Sequence, residues 1–205
     1  VVNQTFKDIE IIVVDNKSTD NTVEIAKNSG AKVITCEIKG YGATLREGFK
    51  NATGEYILMG DADDSYDFRQ IKDFWANKDK DFDMIVGSRF KGTIHEGAMP
   101  PLHQYFGTPF LTVVQNILWQ VGISDSQSGM RFFRKESLDK IELKTTGMEF
   151  VSELAVKFKL AKMKIIEIPI DLYKDGRKNT KPHIRSFRDG FRHLFYMLGM
   201  RLTHF

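Results

Sequence analysis

Residues 56–64 (Tyr-Ile-Leu-Met-Gly-Asp-Ala-Asp-Asp) restrict the fold more than any other part of this 205-residue chain. The apolar run at positions 56–59 is too short for a helix and too apolar for a surface loop, so it predicts a short strand buried on both faces. Strands of this kind belong to parallel sheets, which bind ligands in the crevice beyond the carboxyl ends of their strands. The carboxylates that follow therefore predict a polar site at the end of a buried strand.

Asp61 and Asp63 are the candidate metal ligands in this segment. One residue separates them, so both side chains can approach the same ion. Hard divalent cations such as Mg²⁺ or Mn²⁺ prefer oxygen ligands, and Mg²⁺ is usually held by one or two carboxylates together with phosphates of the substrate. The alternative is an Asp-rich surface turn that only caps the next helix.

Strand and helix patterns alternate along the first half of the chain. The predicted strands are residues 9–14, 32–36, 56–59, 84–86 and, later, 164–170; the predicted helices are about 20–28, 42–51, 68–76, 103–121 and 149–160. Such alternation implies right-handed crossovers, so it predicts an α/β fold with a Rossmann-like, mostly parallel central sheet and helices on both faces. Pro169 near the end of the last strand favours an edge position for it.

Three polar side chains should meet at one edge of this sheet. Asp15, Asp61 and Arg89 each lie at the carboxyl end of a predicted strand. Because the carboxyl ends of parallel strands share one edge, a binding or active site is expected there.

Composition and charge exclude several classes of protein. The single cysteine, Cys36, rules out an intrachain disulfide framework and Cys-based zinc clusters. No stretch reaches the roughly 18 apolar residues of a membrane span, and the start does not resemble a signal peptide, so no integral membrane protein is expected from the chain as given. Residues 174–205 hold eight Lys/Arg against two Asp/Glu, which predicts a polyanionic partner for this end.

The C-terminal segment has the pattern of a basic amphipathic helix. Large apolar residues recur at helical spacing, with arginines among them: Phe187, Phe191, Leu194, Phe195, Leu198 and Leu202, with Arg188, Arg192 and Arg201. Such a helix either lies on an anionic membrane surface or packs on the domain with a solvated basic face. We expect a catalytic domain over residues 1–180 and this helix over 181–205. No nucleic-acid motif occurs, so no nucleic-acid partner is predicted.

Six segments in order along the chain resemble family 2 glycosyltransferases of the GT-A fold. The similarity is greatest to the polyprenol-phosphate sugar synthases, the group that includes dolichol-phosphate mannose and glucose synthases. The matching segments are Val13–Thr22, Gly40–Phe49, Gly60–Asp64, Val86–Phe90, Asp125–Arg131 and Asp171–Arg177. The resemblance implies transfer of a sugar, with inversion, from a UDP- or GDP-sugar to a polyprenyl phosphate at the cytoplasmic membrane face.

The resemblance also implies roles for particular residues. Asp61 and Asp63 would bracket Mg²⁺ or Mn²⁺ on the diphosphate of the donor, and Asp15 would contact its base or ribose. The donor site would comprise Asp15, Gly40, Asp61, Asp63 and Arg89. The phosphate of the lipid acceptor would be received by Ser128, Arg131 and Arg177.

The chemistry of the acceptor decides whether a general base is needed. A phosphate acceptor is already an anion near neutral pH, whereas a saccharide hydroxyl would need a base, for which Glu149 and Glu153 are candidates. A nucleoside diphosphate leaves readily only when its charge is neutralised by cations. The expected catalytic residues are therefore Asp63, Arg89 and Glu149.

Two departures from the family pattern leave alternatives open. The first strand of the family, with its nucleotide-holding turn, has no counterpart in these residues, and Ser65 stands where some mannose synthases supply a metal-ligating amide. A glycosyltransferase acting on a saccharide hydroxyl remains an alternative. A non-catalytic nucleotide-binding or membrane-recruitment module is another.

Overall fold

The computed structural model describes residues 8–177 and 186–203. In this part of the chain the strands are β1 (Ile12–Asp15), β2 (Lys32–Thr35), β3 (Tyr56–Met59), β4 (Met84–Ser88), β5 (Arg131–Arg134) and β6 (Ile165–Pro169). The α-helices are α1 (Thr22–Asn28), α2 (Tyr41–Asn51), α3 (Ile71–Trp75), α4 (Thr108–Trp119), α5 (Lys135–Leu138), α6 (Phe150–Leu160) and α7 (Ser186–Thr203). A 3₁₀ turn (Phe68–Gln70) precedes α3, and a π-helical segment (His103–Gly107) precedes α4.

The strands form two sheets. β1 and β2 pair in parallel, while the larger sheet has the order β3-β5-β4-β6. β6 is parallel to β4 and lies at the edge, as Pro169 predicted. β5 runs antiparallel to both of its neighbours, so the larger sheet is mixed. The predicted α/β fold is confirmed, with one reversed strand that the sequence patterns did not reveal.

The apolar pattern of the sequence did not predict β5, which lies between β3 and β4 in the larger sheet. Its Phe132 stacks on Tyr56 with ring centroids 5.2 Å apart, on one face of the sheet. On the other face Phe133 contacts Phe49 and Phe158, at centroid distances of 5.6 and 5.8 Å. Each face of the sheet therefore has an aromatic core centred on β5.

An open groove separates the two sheets. At the amino ends of β1 and β3, the carboxylate of Glu10 accepts hydrogen bonds from the backbone amides of Thr53 and Gly54. At the carboxyl end of β1, the Oδ1 atom of Asn16 accepts one from the amide of Gly40. The facing edges of β1 and β3 line a cavity of about 2290 Å³. Among the described residues no strand lies between them.

Helix α7 packs on α4 and α6 through buried contacts. The indole Nε1 of Trp119 donates to the carbonyl of Met197 at 3.3 Å, and the Oγ of Ser152 lies 2.8 Å from the Nδ1 of His193. Burial lowers the pKa of His193 to about 4, so this contact is between neutral groups near pH 7. The predicted boundary at residue 180 lies outside the described residues. No helix within them is long and apolar enough to cross a bilayer.

We expect Phe133→Ala to lower the free energy of unfolding by about 3–5 kcal/mol, because it empties a fully buried position in β5. The matched control is Ile25→Ala in α1, where the side chain is exposed and truncation should change stability by less than about 0.5 kcal/mol. Urea unfolding of both variants measures the difference. Equal losses would contradict the central position of β5.

Candidate active site

Asp61 is an enclosed carboxylate with a second carboxylate beside it. Burial raises its pKa to about 6 and the negative charge of Asp63 adds to this, although a hydrogen bond to Tyr41 and two nearby arginines oppose the shift. Gly129 packs directly on it, since a Cβ there would lie 2.5 Å from Oδ2 of Asp61. Two carboxylates that repel one another in an enclosed site favour a bound cation.

Asp63 is oriented by the loop that carries Arg177. Its Oδ1 accepts a hydrogen bond from the hydroxyl of Ser65 at 2.5 Å, and its Oδ2 lies 3.2 Å from a guanidinium nitrogen of Arg177. The amide of Gly176 donates to the carbonyl of Asp63 at 2.8 Å, which holds the loop in place. Arg177 also pairs with Asp175. The structure therefore places Arg177 directly beside the Asp pair.

The donor set suits a metal ion shared with a substrate. In residues 8–177 and 186–203, no three His, Cys, Asp or Glu side chains come together as a complete protein-only metal site. Asp61 and Asp63 can supply two carboxylates, and Mg²⁺ sites of this type complete their coordination with phosphate oxygens and water. The hydroxyl of Ser65 donates a hydrogen bond to Asp63, so Ser65 positions one of the candidate metal ligands. The residues present fit a divalent cation bound together with a diphosphate.

Asp15 closes the turn after β1. Its carboxylate accepts hydrogen bonds from the backbone amides of Lys17 and Ser18, and the shortest N–O distance is 3.1 Å in each case. Asp15 is buried, while Asn16, Lys17 and Ser18 line the cavity. Asp15 therefore shapes the turn whose other residues face the open space.

Gly40 lets α2 begin against the loop before α6. Its φ of 138° is one that glycine favours, and a Cβ at this position would lie 2.2 Å from the carbonyl oxygen of Thr146. The amide of Gly40 donates to Asn16, and the next residue is Tyr41, the partner of Asp61. This glycine joins the turn after β1 to the carboxylate pair.

Arg89 is held by a buried bidentate ion pair. Its Nε and one terminal nitrogen lie 2.7 Å from the two carboxylate oxygens of Asp125, and its amide also donates to Asp125. Burial alone would lower the pKa of Arg89, but Asp125 outweighs it and raises the pKa above its ordinary value. Arg89 is near enough to Asp61 to lower its pKa. Of the three side chains predicted to meet at one edge, Asp61 and Arg89 come together, with Asp125 as a further member. Asp15 ends a strand of the other sheet, and its carboxylate is engaged in its own turn.

Ser128 and Arg131 lie in the interior rather than on the cavity wall. The guanidinium of Arg131 is fully buried and donates to three backbone carbonyls, those of Ser126, Ser128 and Val151. Burial lowers the pKa of Arg131 to about 10. The hydroxyl of Ser128 is also buried and faces the amide of Met130 at 3.4 Å. Of the three residues expected to receive an acceptor phosphate, only Arg177 is partly exposed.

The two candidate bases, Glu149 and Glu153, both accept hydrogen bonds from other groups of the protein. Glu149 lies 2.7 Å from a guanidinium nitrogen of Arg192 in α7. Glu153 is fully buried and accepts hydrogen bonds from the amides of Lys144 and Thr145, both at 2.8 Å. Burial alone would raise the pKa of Glu153, but these hydrogen bonds lower it. Glu153 thus holds the loop before α6.

Sequence reasoning overlooked Tyr41, Asn16 and Asp125 as contributors to the site. Each lies in one of the six segments that resemble the family. Nothing in the sequence around Tyr41, which stands between two glycines, indicates that its hydroxyl would bind the carboxylate of Asp61. Asp125 begins the segment 125–131 and could have been suggested as a counter-ion for Arg89. That pairing joins residues 36 positions apart, so it needs the fold to be seen.

The fold is that of the GT-A glycosyltransferases. The chain is similar to solved structures of glucosyl-3-phosphoglycerate synthase from Mycobacterium tuberculosis. One, in complex with uridine-diphosphate, has a TM-score of 0.69 at 16% identity over 93% of this chain and 68% of that one. Another, containing Mn²⁺, uridine-diphosphate and glucosyl-3-phosphoglycerate, has a TM-score of 0.67 at 17% identity over 94% and 68%.

The chain belongs to glycosyl transferase family 2, whose model matches residues 1–142. It is 40% identical to the low-salt glycan biosynthesis hexosyltransferase Agl6 of Haloferax volcanii over 96% of this chain and 48% of that protein. It is 30% identical to a dolichyl-phosphate hexose transferase of the same organism, over 84% and 73%. The chain thus spans about half the length of Agl6 and a larger share of the second relative.

We expect Arg131→Met and Arg177→Met to have opposite profiles, although both arginines were expected to bind the same phosphate. Arg131→Met leaves three buried carbonyls without their donor, so it should lower the free energy of unfolding by about 3 kcal/mol or more. Arg177→Met removes a partly exposed ion pair and should cost less than about 1 kcal/mol. Urea unfolding distinguishes them; a mild effect of Arg131→Met would show that its buried contacts matter little.

Proposed function

We propose that this chain carries the catalytic domain of an enzyme that transfers a hexose from a nucleotide diphosphate sugar to a polyprenyl phosphate. The observation that carries the proposal is the pair Asp61 and Asp63, partly buried just after β3 and bordered by Tyr41 and Arg177. The family membership and the dolichyl-phosphate hexose transferase among its relatives support it.

Asp61 and Asp63 would hold Mg²⁺ or Mn²⁺ against the diphosphate of the donor. A bound cation supplies Lewis-acid stabilisation of the charge that develops on the leaving nucleoside diphosphate. The chain's own residues prepare the site: Tyr41 orients Asp61 through a hydrogen bond, and Ser65 orients Asp63. Preorganised groups of this kind stabilise the transition state without rearranging during the reaction.

The turn after β1 would take the nucleoside. Asn16, Lys17 and Ser18 line the cavity, and the buried carboxylate of Asp15 holds their turn in shape. On this proposal Asp15 acts on the base or ribose partly by positioning the turn. Gly40 permits the close approach of α2 that closes this side of the cavity.

Arginine side chains near the Asp pair would neutralise the charge of the phosphates. Arg177 lies beside Asp63, where it can neutralise an acceptor phosphate or the leaving diphosphate. Arg89 is held in place by Asp125 and adds positive potential at Asp61. Arg131 contributes by holding the loop that contains Ser128 and Gly129, and Gly129 packs on Asp61.

The state of Glu149 favours a phosphate acceptor over a saccharide hydroxyl. A hydroxyl acceptor needs a general base, and of the two candidates Glu149 directly follows Gly147 and Met148, which line the cavity. One oxygen of its carboxylate lies 2.7 Å from a guanidinium nitrogen of Arg192, so that oxygen already has a donor. A phosphate acceptor is already charged and needs no such group.

We expect the full-length protein, mixed with labelled UDP- or GDP-hexose and polyprenyl phosphate in Mg²⁺ or Mn²⁺, to form a labelled lipid that chelation by EDTA prevents. Asp61→Asn and Asp63→Asn should each reduce the initial rate by about 100-fold or more, because each removes a charge that holds the cation. Thin-layer chromatography of the organic extract measures the product.

Asp64→Asn is the matched control, because Asp64 belongs to the same Asp cluster but is exposed and has a φ of 66° that asparagine also adopts. It should keep the rate within a few-fold of the unsubstituted protein. Labelled product on a free saccharide but not on polyprenyl phosphate would overturn the proposed acceptor. Absence of transfer from every common donor would overturn the proposed reaction.

A further inference from the structure

The first turn of α2 is capped by the loop before α6, which comprises residues 144–149. Helix α2 begins at Tyr41, and no side chain caps its first turn. The carbonyl oxygen of Thr146 instead accepts hydrogen bonds from the amides of Gly42 and Ala43, at 2.9 and 3.3 Å. The first amides of a helix have no partner within the helix, so its start depends on the group that satisfies them. The position of Tyr41 therefore depends on a loop that is distant in the sequence.

Two glycines let α2 lie directly on this loop. A Cβ at Gly42 would lie 2.7 Å from the carbonyl oxygen of Thr145. Gly40 is in similarly close contact with the carbonyl group of the next residue of the loop. Tyr41 stands between the two glycines, so backbone contacts with the loop hold it from both sides. The hydroxyl of Tyr41 in turn forms a hydrogen bond with Asp61.

Two carboxylates at the start of α6 hold the loop in place. Glu153 is fully buried and accepts hydrogen bonds from the amides of Lys144 and Thr145, both at 2.8 Å, and from the hydroxyl of Thr145 at 2.6 Å. Glu149 accepts one from the amide of Gly147 at 3.3 Å, and its other oxygen is so near that a Cβ on Gly147 would lie 2.5 Å away. Side chains of α6 therefore fix the loop on both sides of the carbonyl that caps α2.

Helix α7 holds the carboxylate of Glu149 from the other side. A guanidinium nitrogen of Arg192 lies 2.7 Å from one of its oxygens, and the side chain of Glu149 is only 9% exposed. The described wall of the cavity contains Tyr41 and Asp61 but neither Glu149 nor Glu153. The two glutamates can therefore act on the site through the loop rather than by contact with a substrate.

We propose that Glu149 and Glu153 are positioning residues for the cation site. They fix the carbonyl of Thr146, which fixes the first turn of α2, and α2 keeps the hydroxyl of Tyr41 on Asp61. Removing a group that orients a metal ligand typically lowers metal affinity by about 10–100-fold. Glu149 thus has a task in the site that does not require it to act as a base. The inference rests on the proposed cation site and extends it to residues that touch neither the cation nor a substrate.

The test measures binding of Mn²⁺ to the 205-residue chain by electron paramagnetic resonance, in the presence of UDP or GDP. Tyr41→Phe and Glu149→Ala should each raise the dissociation constant of Mn²⁺ by about tenfold or more, because both disturb the orientation of Asp61. Glu149→Gln keeps an oxygen that accepts the same hydrogen bonds, so the increase should be less than about threefold. If both Glu149 variants bind Mn²⁺ normally and lose transfer equally, Glu149 is a base and the proposal is wrong.

The double variant Tyr41→Phe/Glu149→Ala tests whether Glu149 acts through Tyr41. Its dissociation constant for Mn²⁺ should equal that of Tyr41→Phe, because the hydroxyl that transmits the effect is already absent. Hydrogen exchange tests the same link without cation or nucleotide: the amides of Gly42 and Ala43 should exchange at least about tenfold faster in Glu149→Ala. Additive losses of Mn²⁺ affinity, or unchanged exchange, would contradict the proposal. If Glu149→Ala does not fold, Arg192→Met gives the same exchange readout at a partly exposed position.

Glu142→Gln is the matched control, because Glu142 precedes the loop, is exposed and pairs with the exposed Lys144. It should change neither Mn²⁺ affinity nor exchange at the start of α2. Normal Mn²⁺ binding by Glu149→Ala, in a protein that binds Mn²⁺ when unsubstituted, would overturn the positioning role and leave the proposed function intact. The expected ranking of variants in a chain that transfers no sugar would support the positioning role and overturn the proposed reaction. Absence of Mn²⁺ binding by the unsubstituted chain with either nucleotide would overturn both.

Discussion

A single buried guanidinium, that of Arg131, holds together the parts of the molecule that form the candidate active site. It starts β5, where it lies opposite Met59 of β3 and Val86 of β4. Its hydrogen bonds to the carbonyls of Ser126, Ser128 and Val151 tie the loop before β5 to α6. Burying a charge is costly unless it is hydrogen-bonded, and here each of the three guanidinium nitrogens donates to a backbone carbonyl.

The loop that Arg131 secures contributes both of its ends to the site. At one end, Asp125 fixes the guanidinium of Arg89, and the amide of Asp125 is itself bound by Glu167 of β6. Near the other end, Gly129 packs on Asp61 and donates its amide to the hydroxyl of Tyr66. The geometry around the carboxylate pair therefore depends on contacts made by residues far away in the sequence.

Much of the fold could be predicted because its strands are short apolar runs that end in polar or glycine residues. β1 to β4 and β6 all fall within a few residues of their predicted bounds. β5 was missed because the sequence Arg-Phe-Phe-Arg begins and ends with charged residues and follows a glycine-containing turn. Its antiparallel direction depends on which strands it joins, and a local pattern of apolar residues carries no such information.

The candidate site was predictable in its position and less so in its chemistry. Asp15, Asp61 and Arg89 were expected at one edge because strand ends converge, and Asp61 and Arg89 do come together. Asp15 does not share their sheet, because β1 pairs only with β2 among the described strands. The roles of Arg131 and Arg177 could not be separated from sequence, since an arginine in a polar loop can donate to a phosphate or to backbone carbonyls. Only burial distinguishes the two cases: Arg131 is fully buried, and Arg177 is partly exposed beside Asp63.

Helix α7 ties the wall of the cavity to the packed core because its sides face different surroundings. Arg188 and Arg192 line the cavity between the sheets, whereas His193 and Met197 are buried against α6 and α4. The ion pair between Arg192 and Glu149 joins α7 to the loop before α6, and Gly147 and Met148 of that loop also line the cavity. The shape of the cavity on this side therefore depends on how α7 packs on α4 and α6.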